Sequence, residues 1–354
     1  MAALVMKTHQ GVAMKRLGMA DLARAAGVSV ATVDRVLNGR EPVREDTRAQ
    51  IIAAADRIGH PAARRLSPRP LDLREIRFGV VLHKQGQDFY KAFAEALQRA
   101  VTSAPGVQGR LVLEFSSSQA PGEMASALRG MAGRCDVLAA TAVNHPEVTA
   151  AVEELSSKGL AVFSLLSDFA QGARAGYLGL NNLKVGRTAA WFMHQTARKP
   201  GVMALFVGGH RWHGHELRET GFRGYLRECA PHLTVLDTLV NLETRQLTYE
   251  TTLSLLARQP DLRGIYVAGG GMEGAIAALR EARAPGDVAL VVSALTPESR
   301  AGLAEGLITL TVDTPLEKLC RDLMLIMTRA ATEGRGPGGL QHFLSPDLHV
   351  AESV

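Results

Sequence analysis

Cysteine and long apolar runs are what this sequence lacks. In 354 residues there are three cysteines, Cys135, Cys229 and Cys320, far apart and without a C-x-x-C pair. That argues against a disulfide framework and a thiolate metal site, and predicts reduced, structurally buried thiols in a cytoplasmic protein. No stretch approaches the ~18 apolar residues of a membrane helix, so no membrane partner is expected. The opening MAALVMKTHQGVAMKR has no long apolar core of a secretory signal. Residues 1–16 read as a disordered extension. The run Gly269-Gly270-Gly271 lacks the Lys-Ser/Thr of a phosphate-cradling loop. No Ser-His-Asp set or carboxylate pair suggests catalysis, so an enzyme is not expected. His210, His213 and His215 crowd one loop without a partnering cysteine, and neither a metal nor a cofactor is expected.

What is present is an asymmetry of charge. Residues 1–70 hold twelve Lys/Arg against six Asp/Glu, whereas the other 284 hold 28 against 29. A small basic module that meets a polyanion, joined to a near-neutral body, fits that split. The basic end reads helix, turn, helix, loop, helix. Met19, Leu22, Ala23 and Ala26 recur on one helical face. Gly27 supplies a sharp turn, and Ser29 is placed to N-cap a second helix. In that helix Val33, Val36 and Leu37 face inward, and Asn38-Gly39 ends it. A third helix, about 45–58, turns Ile51, Ile52, Ala55 and Ile58 inward. Residues 59–75 mix three prolines with arginines and read as a linker.

From residue 76 the pattern changes. Apolar runs of strand length (76–82, 110–115, 136–140, 160–165, 201–207, 235–240, 263–267, 288–292) alternate with helical segments, and 307–315 leads into a last helix. Continuous apolar strands between helices predict parallel sheets covered on both faces. So many strands predict two α/β lobes with a cleft between them.

The stretch MADLARAAGVSVATVDRVLNGR, with VREDTRAQIIAAADRIGH after it, resembles the DNA-binding domain of LacI-family transcriptional regulators. Their usual wording, D-V-A-x-x-A-G-V-S-x-x-T-V-S-R-V-L-N, is matched at twelve positions between Asp21 and Asn38. The remainder is similar to that family's effector domain, itself like sugar-binding proteins of the ribose-binding type. The resemblance implies an all-α helix-turn-helix domain (17–60), a linker (61–75) and a two-lobed α/β, type I periplasmic-binding-protein-like domain (76–350). Lobe 1 would take 76–178 and 313–338, and lobe 2 would take 180–308 and 340–350. It implies a homodimeric regulator, a repressor by family habit. Its partners would be double-stranded operator DNA and a small effector: a sugar, polyol or sugar acid. A solute-binding receptor without DNA binding is the competing reading, and it leaves the basic first 70 residues unexplained.

On that resemblance Val30 and Ala31 enter the major groove, where small apolar side chains reach only groups such as a thymine methyl. Arg35 is the base reader, its fork matching guanine O6 and N7. Ser29, Thr32, Asn38 and Thr47 are phosphate donors, with Ser29 and Asn38 also suited to capping. Asp34 stands where the family has serine. It can accept from a cytosine amine or orient an arginine such as Arg35 or Arg40, and the second costs less desolvation. In the linker, Arg64, Arg65 and Arg69 stand beside Leu66, the one candidate minor-groove wedge, and Pro68 and Pro70 limit any hinge helix to about a turn.

Ligand residues are expected at the carboxyl ends of strands. Gln87, Asp88, Phe89 and Tyr90 follow the first strand, although Phe89 fits a core equally well. Asp168 follows another strand end, and Asn181 and Asn182 stand at the crossover between lobes. Arg211, His213, His215 and Glu216 open a helix of the second lobe. Met272 and Asp313 complete the set. Two places are depleted: glycines fill 269–271 and Ser293-Ala294 lacks an acid, so fewer hydroxyl clamps are expected there.

Overall fold

The computed structural model describes residues 18–38, 43–63, 73–197, 199–334 and 339–354. The extension expected at 1–16, Arg40 and the linker residues Arg64, Arg65, Leu66 and Arg69 lie outside the described residues. Two compact units divide the chain between Arg74 and Glu75.

The first unit is three helices, α1 (Met19–Ala26), α2 (Val30–Asn38) and α3 (Glu45–Ile58). Gly27 takes a left-handed φ of 65° and its N–H closes the end of α1, which lets the chain turn sharply into α2. Ser29 Oγ accepts from Thr32 N at 3.1 Å and caps α2. Leu22, Ala23, Ala26, Val33, Ile51, Ala54 and Ala55 form the core. Met19, expected on the inner face, overhangs that core from the first residue of α1 and is 44% exposed. Arg57 Nη2 donates to Ala25 O at 2.6 Å, pinning α3 to the end of α1.

The second unit opens with β1 (Glu75–His83), α4 (Asp88–Thr102), β2 (Gln108–Ser116), α5 (Pro121–Arg129), β3 (Val137–Ala140), α6 (Pro146–Ser157), β4 (Val162–Leu165) and β5 (Gly176–Leu180). It continues with α7 (Asn182–Thr196), β6 (Gly201–Val207), α8 (His213–Cys229), β7 (Leu233–Val235), β8 (Leu239–Val240), α9 (Arg245–Arg258), β9 (Leu262–Val267), α10 (Met272–Ala282), β10 (Ala289–Ser293), α11 (Pro297–Ala304) and β11 (Leu310–Asp313). Last come α12 (Leu316–Glu333), β12 (Leu340–Leu344) and β13 (Asp347–His349).

Two sheets result. The first runs β12-β5-β4-β3-β1-β2 and the second β13-β11-β10-β9-β6-β7, with β8 also on β6. All pairs are parallel except β11 with β13. Central strands such as β3 and β4 are buried along their whole length, as their unbroken apolar sequences require when helices cover both faces.

Three details differ from the sequence reading. Residues 340–350 do not all join the second lobe: β12 pairs in parallel with β5 in the first sheet, and only β13 returns to the second. A run expected as one strand, 235–240, is broken into β7 and β8. Arg223 on α8 donates to Leu236 O and Thr238 Oγ1, both at 2.7 Å, and holds the bend. Cys135 and Cys320 are buried, whereas Cys229 is exposed at the last residue of α8. Burial pushes the Cys135 thiol up to about 11 and the Cys320 thiol up to about 12, so both stay protonated.

Candidate functional site

A cavity of about 110 Å³ lies between the two sheets of the second unit, lined from both lobes by loops that follow strand ends. Its aromatic wall is Phe89, Tyr90 and Trp212. Trp212 precedes α8 of the second lobe, yet its side chain is buried in the apolar cluster of the first, with Val81, Met124 and Phe169. Its ring stacks on His83 at 4.8 Å between centroids, and its Nε1 donates to Gln119 Oε1 at 3.1 Å.

Arg218 is the cation of the wall. Asn182 Oδ1, Ala268 O and Ser293 Oγ accept from it at 2.7, 2.6 and 3.0 Å, so neutral acceptors hold it in place. Asn182 is itself fixed by donating to Leu166 O at 3.0 Å. His215 and Arg218 lie one helical turn apart and share the cavity face of α8.

One carboxylate of the wall, Glu243, comes from the loop between β8 and α9. Leu242 and Glu243 take left-handed φ values of 49° and 54°, which turn the Glu243 side chain inward. Its Oε2 accepts from Gln119 Nε2 at 3.0 Å and pairs with Lys84 Nζ at 3.1 Å, both in the first lobe. Its Oε1 accepts from Gly270 N at 3.2 Å in the second. Lys84 and Gln87 also donate to the backbone carbonyls of Leu242 and Glu243, at 2.7 and 2.9 Å. Burial pushes the Glu243 carboxyl up, but the neighbouring His83 and His215 rings and the Lys84 ammonium outweigh burial and hold it well below the usual range. Burial lowers His215 to about 4, so its ring is neutral near pH 7. Glu273, also on the wall, is raised, chiefly by burial.

Of the residues expected from sequence, Gln87, Phe89, Tyr90, Asn182, His215 and Met272 line the cavity. The others do not, each for a local reason. Asp88 is the exposed first residue of α4, 3.0 Å from Lys91. Asp168 points into the first lobe, held by Arg174 Nη2 at 2.7 Å and Ser164 Oγ at 2.6 Å, while its neighbour Ser167 faces the cavity. Asn181 caps α7 by accepting from Lys184 N at 3.1 Å. Arg211 is exposed, and His213 and Glu216 pair on the far side of α8. Asp313 accepts from Leu295 N at 3.1 Å, leaving the wall to Thr314. The residues missed include Arg218, Trp212 and Glu243. The first two stand in the same segment as His215, residues 211–222. Glu243 had no motif of its own. The one signal for it is the Gly269-Gly271 run, since a Cβ at Gly270 would come 3.0 Å from Glu243 Cβ. Among the described residues, no three His, Cys, Asp or Glu side chains converge as a metal site.

In the first unit, Ser29, Val30, Ala31, Arg35 and Asn38 form an exposed surface at and along α2, opposite buried Val33, with Thr32 and Thr47 half-buried. Asp34 Oδ1 accepts from Asn38 Nδ2 at 2.7 Å, one turn along. The Asn38 amide, expected on a phosphate, is thus engaged within α2.

Comparison with known proteins adds three findings. Residues 78–335 match the family model described as periplasmic binding protein domain, and residues 18–61 match bacterial regulatory proteins of the lacI family. The chain is 32% identical over 165 residues to the HTH-type transcriptional regulator reg1 of Streptomyces lividans, covering 45% of each chain. It is 54% identical over 44 residues to the regulator GalR of Streptococcus thermophilus, covering 12% of this chain and 13% of that one. These matches thus span less than half the length of the curated relatives. An Agrobacterium vitis ABC transporter solute-binding protein, solved with α-D-tagatopyranose, superposes with a TM-score of 0.70 at 16% identity, over 78% of this chain and 95% of that one. A Bacillus halodurans solute-binding protein with bound myo-inositol superposes at 0.69 and 15% identity, over 79% and 96%. At such identities the likeness establishes the fold.

Proposed function

This chain belongs to the periplasmic binding protein domain family and carries a lacI-family domain at residues 18–61, and from that premise we propose that it is a sequence-specific DNA-binding regulator of transcription. Its operator affinity is set by a small polar ligand held between the two lobes of residues 75–354. The observation that carries this reading is the coexistence, in one chain, of a capped and exposed α2 with an interlobe cavity walled by aromatic and hydrogen-bonding groups.

Val30, Ala31 and Arg35 read bases, and Ser29, Thr32 and Thr47 set register on phosphates. Two copies present two such heads to a pseudo-palindromic operator, and ligand binding relieves repression. The cavity takes a small hydroxyl-rich ligand: a sugar, polyol or sugar acid. Lys84 already neutralises Glu243, whereas neutral acceptors hold Arg218, which leaves its charge for a ligand hydroxyl or carboxylate. The protein works in the cytoplasm as a binding protein, not an enzyme. No helix among the described residues is long and apolar enough to cross a membrane.

Electrophoretic mobility of DNA from the chain's own upstream region tests the reading. Full-length protein at low salt retards it, and the added sugar releases it. Absence of retardation at any protein concentration refutes DNA regulation.

A further inference from the structure

His215 Nδ1 accepts the Gly208 N–H at 3.2 Å. A neutral ring therefore carries its proton on Nε2. That Nε2–H stands 3.7 Å from Glu243 Oε1, too far for a direct hydrogen bond. Both groups line the cavity, with side chains 12% and 8% exposed. Glu243 Oε2 is already engaged by Gln119 and Lys84, but among the described residues Oε1 has only the Gly270 N–H within hydrogen-bond distance. A carboxylate oxygen has room for a second donor. The wall thus holds a donor and an acceptor, both rigidly oriented, with a gap that neither closes.

Three glycines keep this pair in place. A Cβ on Gly208 would lie 2.4 Å from Glu243 Cγ. A Cβ on Gly269 would lie 2.7 Å from His215 Nε2 and 3.0 Å from Glu243 Oε1, which wedges a methyl against the gap itself. Any side chain at 270 would press on Glu243 Cβ. The glycine run is therefore space for a clamp delivered by another loop.

We infer that Glu243 and His215 form a composite clamp for one ligand hydroxyl, which donates to Glu243 Oε1 and accepts from His215 Nε2–H, and that this pair sets which sugar the site prefers. A hydroxyl is the group that does both at once. An ether, a carbonyl or a deoxy position leaves one partner or both unsatisfied, and unsatisfied buried groups are what produce strong discrimination. The inference rests on the interlobe cavity being the ligand site.

The test titrates full-length protein calorimetrically with D-glucose, D-galactose, D-allose, D-fucose, D-tagatose and myo-inositol, then with the monodeoxy analogues of the best binder. One analogue loses about 10- to 100-fold in the wild type. In Glu243→Gln the parent sugar weakens by a comparable factor while that analogue is unchanged, so discrimination collapses. His215→Phe, which keeps a ring but removes the donor, collapses discrimination at the same hydroxyl. Either variant alone decides the matter if the other does not fold. Discrimination retained in a folded variant, or parent and analogue weakening together, overturns the clamp. A wild type that binds none of the panel removes the sugar reading and the clamp with it. A sugar bound equally by wild type and variants removes the clamp alone.

Discussion

At the scale of single residues, the charge states around the cavity make a measurable pH dependence. His215 sits at about 4 in the folded protein against an ordinary 6.5. Between those values the unfolded chain binds the extra proton, so stability falls as pH falls below 6.5. From pH 7 to pH 5 the wild type loses about 2 kcal/mol that His215→Phe does not lose, and thermal melting of both proteins across that range shows the gap between them shrinking. On α2 the residue to change is Asp34. Asp34→Ser removes an anion from the proposed DNA face and releases the Asn38 amide it now holds. Non-specific DNA binding then tightens by roughly 1 kcal/mol and preference for the operator drops, as competition of operator against random duplex by fluorescence anisotropy reports. The sequence came close to the cavity residues and twice missed by one: Asp168 for Ser167, Asp313 for Thr314. Loop position follows from pattern, but side-chain direction reverses with each residue at a strand end. Polarity alone favoured the acid, which the fold used as an internal anchor.

Among the elements, the helices and most strands were legible, because apolar periodicity and turn residues agree along this chain. The strands β5, β12 and β13 were not, nor was the break between β7 and β8, since it depends on Arg223, which arrives from α8. Nor could sequence reveal that Trp212, at the head of that helix in one lobe, is packed into the core of the other. Trp212 is 4% exposed. Trp212→Ala costs about 3–5 kcal/mol of stability and weakens ligand binding as well, because the same ring walls the cavity. A urea titration followed by circular dichroism gives the first effect, and calorimetry with the bound sugar gives the second.

For the whole molecule, charge asymmetry and the change of pattern near residue 76 announced a basic head and a two-lobed body, and the structure divides the chain at Arg74 and Glu75. Residues 75–354 have extensive cores of their own. A fragment beginning at Glu75 therefore melts cooperatively and binds the sugar within about threefold of full length, while it no longer retards operator DNA. Failure of that fragment to fold, or its continued retention of DNA, contradicts the division of labour. What pattern could not supply was the return of the tail, because a five-residue strand such as β12 fits the edge of either sheet equally well by sequence.

That return governs how the protein can be made. Arg174 reaches the carbonyl of Leu340, 166 positions further on, and β12 completes the first sheet against β5. The first lobe is translated early but stays open at one edge until residues 340–344 have left the ribosome. Its unpaired strand β5 is exposed throughout synthesis of the second lobe. Nascent chains stalled before residue 340 are thus the species most prone to aggregate, and those in most need of a chaperone.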